Sequence, residues 1–145
     1  MGLIDEKKRE ATIEQIEHAL AIMIRRFKKS INENHTSNIT AHEYVFLSCL
    51  FKKQQETASG LAKQFEVTPS YATIVVDKLI RSGYVQRRRS TTDRRIVELT
   101  VTDKGVKTYE ALSVVRRQVL QQVFGKLNDD ELMQMLQLVA KLSDE

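Results

Sequence analysis

The chain has 145 residues, of which 41% are apolar and 29% charged, with only five Gly and one Pro. That composition fits one mainly helical globular unit and excludes collagen-like repeats, extended disorder and a multidomain enzyme. Lys and Arg outnumber Asp and Glu by 23 to 19, and the whole excess lies between Gly60 and Gly105, where nine basic residues stand against five acidic ones. A clustered positive field, unlike a diffuse one, displaces counterions from phosphates.

The N-terminus is charged at once (Asp5, Glu6, Lys7, Lys8, Arg9), so it lacks the apolar core of a signal peptide, and Glu6 stands where a myristoylation signal needs Ser or Thr. Apolar residues at Ile13, Ile16, Leu20, Met23, Ile24, Phe27 and Ile31 recur every three or four positions, which predicts a long amphipathic helix over about Lys7 to Asn32. Its stripe needs a partner surface, because a helix draws most of its stability from packing that face. The longest apolar run, Ala19 to Ile24, has six residues, against about 20 for a bilayer span. The expectation is a cytosolic protein with no membrane partner. Asn32, Asn34, Thr36, Ser37 and Asn38 form a polar break.

Thr40 with Glu43 three residues on reads as a capping box, and Tyr44, Leu47, Leu50 and Phe51 follow at helical spacing, giving a second helix over Ala41 to Lys53. The stretch Thr57 to Ala62 opens a short third helix ending near Phe65. Glu66, Val67 and Thr68 make a turn, and Thr68-Pro69 starts a fourth helix that runs to Arg81 and stops at Ser82-Gly83. The period then changes to two. Tyr84 to Arg88 and Ile96 to Val101 read as short strands around the polar, basic tip Arg89 to Arg95. Thr102 caps a long fifth helix with Val106, Tyr109, Leu112, Val115, Val119, Leu120, Val123 and Phe124 on its apolar side. After the break at Leu127 to Asp130, a sixth carries Leu132, Met135, Leu136, Val139 and Leu142.

Short helix, turn, helix, then a two-stranded hairpin with a basic tip is the layout of a winged helix-turn-helix, whose second helix fits a major groove about 12 Å wide. On the fourth helix Ser70, Tyr71 and Thr73 form the expected groove face, Lys78 and Arg81 reach phosphates, and Ile74, Val75 and Leu79 are expected in the core. Arg87, Arg88, Arg89, Arg94 and Arg95 crowd into nine positions, where mutual repulsion costs stability unless an anion relieves it. An arginine at a wing tip suits the narrow minor groove, and Asp93 is placed to steady one of these side chains by a local ion pair.

Asp93-Arg94-Arg95, Leu99-Thr100 and Thr102-Asp103-Lys104-Gly105, together with Thr68-Pro69-Ser70, Asp77-Lys78-Leu79 and Gly83-Tyr84-Val85 followed by Arg87, resemble the wing and recognition-helix motifs of the MarR/SlyA family of transcriptional regulators. The resemblance implies a mainly α fold with a winged helix-turn-helix DNA-binding region over 40–105 and dimerisation helices over 7–34 and 106–145. It also implies a bacterial or archaeal cytoplasmic homodimer acting on double-stranded DNA at a pseudo-palindromic site. Ser70, Tyr71 and Thr73 then face the major groove, and Arg94 or Arg95 the minor groove; Ile74 occupies a position that is basic in many members. Members often respond to a small aromatic or phenolic effector between the dimerisation helices and the winged region, here a crevice expected to be lined by Ile24, Phe27, Tyr44, Leu47 and Phe51.

Cys49 is the lone cysteine and sits among Phe46, Leu47, Leu50 and Phe51, so it is expected to be buried and inert; a redox-responsive regulator acting through Cys49 is the alternative. His18, His35 and His42 lack metal-ligand spacing, and no glycine-rich phosphate loop, nucleophile–histidine pair or spaced carboxylate pair is present. The expectation is therefore a non-enzyme with no metal or cofactor. A winged module that binds protein in place of DNA is the remaining alternative, distinguished by its weak response to salt.

Overall fold

The computed structural model describes residues 5–33 and 37–143. Asn34 and Thr36 of the expected polar break, His35 and the last two residues of the expected 106–145 segment lie outside the described residues, and the stripe position Ile31 lies outside the described side chains. Eight elements follow in order: α1 (Glu6–Asn32), α2 (Ala41–Lys53), α3 (Ala58–Gln64), α4 (Pro69–Arg81), β1 (Val85–Arg89), β2 (Val97–Val101), α5 (Asp103–Phe124) and α6 (Asp129–Leu142).

The helix starts are fixed by local chemistry. Thr40 Oγ1 accepts from the Glu43 N–H at 3.3 Å while Glu43 Oε2 accepts from the Thr40 N–H at 3.2 Å, so two otherwise orphaned donors are satisfied reciprocally. Thr57, Thr68, Thr102 and Asn128 cap α3, α4, α5 and α6 in turn, and Pro69 opens α4, where its missing N–H has no partner to lose. Helix α4 ends at Gly83, whose φ of +82° is the left-handed conformation that closes a helix.

The strands begin one residue later than their sequence pattern suggests, because backbone groups at both expected starts are used elsewhere. The Tyr84 N–H donates to Leu79 O at 3.0 Å, finishing α4, and Ile96 exchanges hydrogen bonds with Ser90 and Asp93 to close the hairpin tip. The antiparallel register sets Val85 opposite Val101, Arg87 opposite Leu99 and Arg88 opposite Glu98. A further hydrogen bond, Leu99 N–H to Glu56 O at 2.7 Å, ties β2 to the segment ahead of α3.

One core joins these parts: Leu47 and Leu50 of α2, Leu61 of α3, Val76 and Leu79 of α4, Leu99 of β2 and Leu112 of α5 are all fully buried. The first turn of α5 lies hard against the base of the wing. Thr102 Oγ1 donates to Gly83 O at 2.6 Å, and a Cβ on the buried Gly105 would strike the Tyr84 carbonyl oxygen and the Val101 side chain. Alanine in a helix gains at most about 1 kcal/mol over glycine, whereas overpacking against backbone that has nowhere to go costs about 1–3 kcal/mol. Gly105→Ala is therefore expected to lower the thermal midpoint by several degrees in a calorimetric or circular-dichroism melt, and an unchanged or raised midpoint would refute the close approach.

Outside the core, the long helices are incompletely covered. Helix α1 packs on α5 and α2, yet Ile13, Ile16, Leu20 and Ile24 remain exposed; α6 contains no buried residue, and Leu136, Leu138 and Leu142 lie open on it. No helix among the described residues is long and apolar enough to cross a membrane.

Candidate nucleic-acid interface

Helix α4 divides sharply into two faces. Ala72, Val75, Val76 and Leu79 are buried against α2 and α3, while Ser70, Tyr71, Thr73, Ile74 and Arg81 face outward. Ile74 thus corrects its expected place in the core: it is 65% exposed. Three consecutive apolar residues, Ile74 to Val76, sweep about 200° of a helix at roughly 100° per residue, so they cannot share one face.

Each polar candidate has a defined environment. Thr73 Oγ1 donates to Pro69 O at 2.9 Å, which commits its proton and leaves its lone pairs and methyl group toward solvent. Tyr71 meets His42 of α2 edge to face, with ring centroids 6.5 Å apart. Lys78, expected to reach a phosphate, has its ammonium 2.6 Å from Glu43 Oε1, a carboxylate that is itself buried. A buried carboxylate is costly without a cation, so Lys78 serves first to join α4 to the start of α2. Nothing in the sequence spacing marks that pair, because Glu43 already reads as a capping residue.

The wing is organised around its tip. The buried Ser90 Oγ accepts from the Thr92 and Asp93 N–H groups at 3.2 and 3.3 Å, and Arg89 Nη1 donates to Arg94 O at 3.0 Å. Asp93 Oδ1 accepts from Arg95 Nε at 3.1 Å and from the Arg95 N–H at 3.0 Å, and Oδ2 accepts from Arg95 Nη2 at 3.1 Å. The Arg95 guanidinium and N–H hold the Asp93 carboxyl below the ordinary aspartate range. Arg87 pairs with Asp77, which ties β1 to the exposed side of α4. Among the described residues Arg81, Arg88 and Arg94 make no salt bridge. Wing and α4 consequently share one outer surface, creased by a hollow of about 450 Å³ lined by Ile74, Asp77, Ile80, Arg81 and Arg87.

The five residues expected to line an effector crevice do not converge. Ile24 is exposed, Leu47 is sealed in the core, and Phe51 stacks on Tyr109 at 4.2 Å beside a different hollow. Phe27 and Tyr44 do share a cavity, of about 300 Å³, with Phe65, Ser48, Cys49, Gln64, Lys52 and Arg116 among its other walls. Burial pushes the Cys49 thiol above its ordinary value despite nearby Lys53, and its Sγ donates to Gln64 Oε1 at 3.3 Å. Since the thiolate is the nucleophile, this environment disfavours the redox alternative. Among the described residues, no cluster of three His, Cys, Asp or Glu side chains could hold a metal.

A short helix, a turn and a groove-facing helix beside an arginine-tipped hairpin define a winged helix-turn-helix DNA-binding protein. The family profile described as "MarR family" matches residues 39–97. The HTH-type transcriptional regulator BilQ of Clostridium symbiosum is 32% identical over 97 residues, 67% of each chain. The HTH-type transcriptional repressor MdtR of Bacillus subtilis is 25% identical over 138 residues, 94% of this chain and 89% of that one. The fold matches, with a TM-score of 0.77 and 22% identity over 96% of this chain and 99% of the other, that of a mutant MarR from E. coli complexed with operator DNA. The chain belongs to the MarR family and is a DNA-binding transcriptional regulator.

Proposed function

We propose that the protein is a homodimeric repressor that places its two α4 helices in successive major grooves of a pseudo-palindromic operator, half-sites about 34 Å apart, with its wings in the flanking minor grooves. The observation that carries this reading is the continuity of the exposed α4 face with the arginine-rich wing, joined by the Arg87–Asp77 pair. The apolar stripes left open on α1 and α6 supply the symmetric contact that a dimer needs. The operator bound by the E. coli protein and the repressor role of the B. subtilis relative support the partner and the sign of regulation. The protein acts by binding, without catalysis, in the cytoplasm.

Release is assigned to a small aromatic or phenolic effector in the cavity between α1, α2 and α5. Phe27, Tyr44 and Phe65 offer ring contacts there, and Lys52 and Arg116 would attract an acidic substituent. The test is a fluorescence-anisotropy titration on duplexes selected from a randomised pool. For six to ten phosphate contacts the affinity should fall roughly 10³- to 10⁵-fold between 50 and 200 mM salt. Small aromatic acids should then release the duplex at fixed salt. A flat salt response would favour the protein-binding module instead.

A further inference from the structure

Ile74 is the most exposed large apolar side chain of the winged region, and it stands in the middle of the surface where a DNA-reading helix should be polar. Ser70, Ile74, Asp77 and Arg81 follow one another at four, three and four residues, so they form a single ridge along α4. The ridge begins at a helix start with a small hydroxyl and ends on an unpaired guanidinium suited to phosphate. Asp77, the acidic member, is neutralised by Arg87. What remains at the centre of the ridge is a branched hydrocarbon with solvent on its outer side, beside the Arg81 guanidinium, which repels a cationic partner.

A major groove presents only one apolar feature on its floor, the C5-methyl group of thymine. We infer that Ile74 is a specificity-determining residue that packs on a thymine methyl in each operator half-site, one helical turn inward from Ser70. The inference rests on the DNA-binding reading above and adds to it a defined chemical preference. Ile74 supplies no hydrogen bond, so its contribution is the removal of methyl and isoleucine surface from water, and it rejects cytosine or a purine edge by leaving their polar groups unpaired.

The experiment replaces each thymine of a selected operator, symmetrically in both half-sites, by deoxyuridine, which lacks only the methyl group. One thymine per half-site should be sensitive: affinity should fall about fourfold for one half-site and about fifteenfold for both, the expectation for burying one methyl each. Ile74→Ala should bind the thymine operator more weakly and be indifferent to deoxyuridine at that position, whereas Ile74→Val should keep part of the preference. Because the side chain is mostly exposed, thermal melts of both variants should match the parent. The inference is overturned if no thymine is sensitive, or if the deoxyuridine penalty persists undiminished in Ile74→Ala. Failure of the parent protein to select any duplex would overturn the DNA-binding reading and this inference together, so the two failures are distinct.

Discussion

Lysine placed at both Ile16 and Leu136 is expected to turn the protein from a dimer into a monomer in sedimentation equilibrium and to weaken operator binding by roughly 10²- to 10⁴-fold, the range over which a second tethered site raises affinity. Both side chains lie in the apolar stripes of α1 and α6 and are more than half exposed in the single chain, 52% and 60% respectively. Substitutions at such positions cost an isolated subunit little. In a symmetric dimer each would enter the interface twice, as an ammonium group pressed into hydrocarbon, and such burial costs several kcal/mol per unpaired ion.

Why the loss should fall on DNA binding follows from the way α1 and α5 meet the winged region. The core built from α2, α3, α4, the wing and the start of α5 keeps its own buried leucines whether or not a second copy is present. A monomer should therefore keep a folded wing and its salt-dependent affinity for any duplex, while losing the advantage of engaging two half-sites at once. A double variant that remains dimeric, or a monomer that holds the operator as tightly as the parent, would remove the basis for a two-fold complex.

The parts that were legible in the sequence are those fixed by neighbours in the chain. Thr40 with Glu43, Thr68 with Pro69, and Gly83 set helix limits through contacts spanning a few residues, and α2 and α4 begin and end where those residues predict. Asp93 likewise finds Arg95, two positions away. What eluded the sequence depends on which elements pack together. The outward turn of Ile74 is set by α2 and α3 claiming the opposite side of α4, and Lys78 is drawn to Glu43 on another helix. Tyr109 of α5 stacks on both Tyr44 and Phe51, yet Tyr44 lines the cavity with Phe27 while Phe51 lines a hollow against β2. The same apolar letters in α2 serve as core, stacking partner or cavity wall, and hydrophobicity alone does not separate those roles.

Asp93→Ala should weaken binding to every duplex, although it deletes a negative charge from a surface that faces phosphate. Coulomb's law by itself gives the opposite sign, since removing an anion near DNA relieves repulsion. The Asp93 carboxylate, however, holds Arg95 by Nε, Nη2 and the backbone N–H, so a side chain that is 90% exposed still projects in one direction. Without that clamp the ordering of a long, mobile arginine has to occur on binding, which costs about three- to tenfold in affinity per wing, or roughly ten- to hundredfold for a dimer. Arg95→Ala should lose more and lower the salt slope by about two, one contact per wing. Because Arg95 keeps the carboxyl ionised below the ordinary aspartate range, the clamp is fully present above that range and is lost only as pH falls through the lowered value. The Asp93-dependent part of the affinity should thus be flat from about pH 5 upward. The cycle of single and double variants decides the mechanism: if Asp93 acts through the Arg95 side chain, then Asp93→Ala should cost much less on top of Arg95→Ala than in the parent, the remainder being the contact to the residue-95 backbone N–H that Arg95→Ala leaves in place. An equal loss in both backgrounds would mean that Asp93 shapes the wing independently of Arg95, and tighter binding by the single variant would mean that it only repels the duplex.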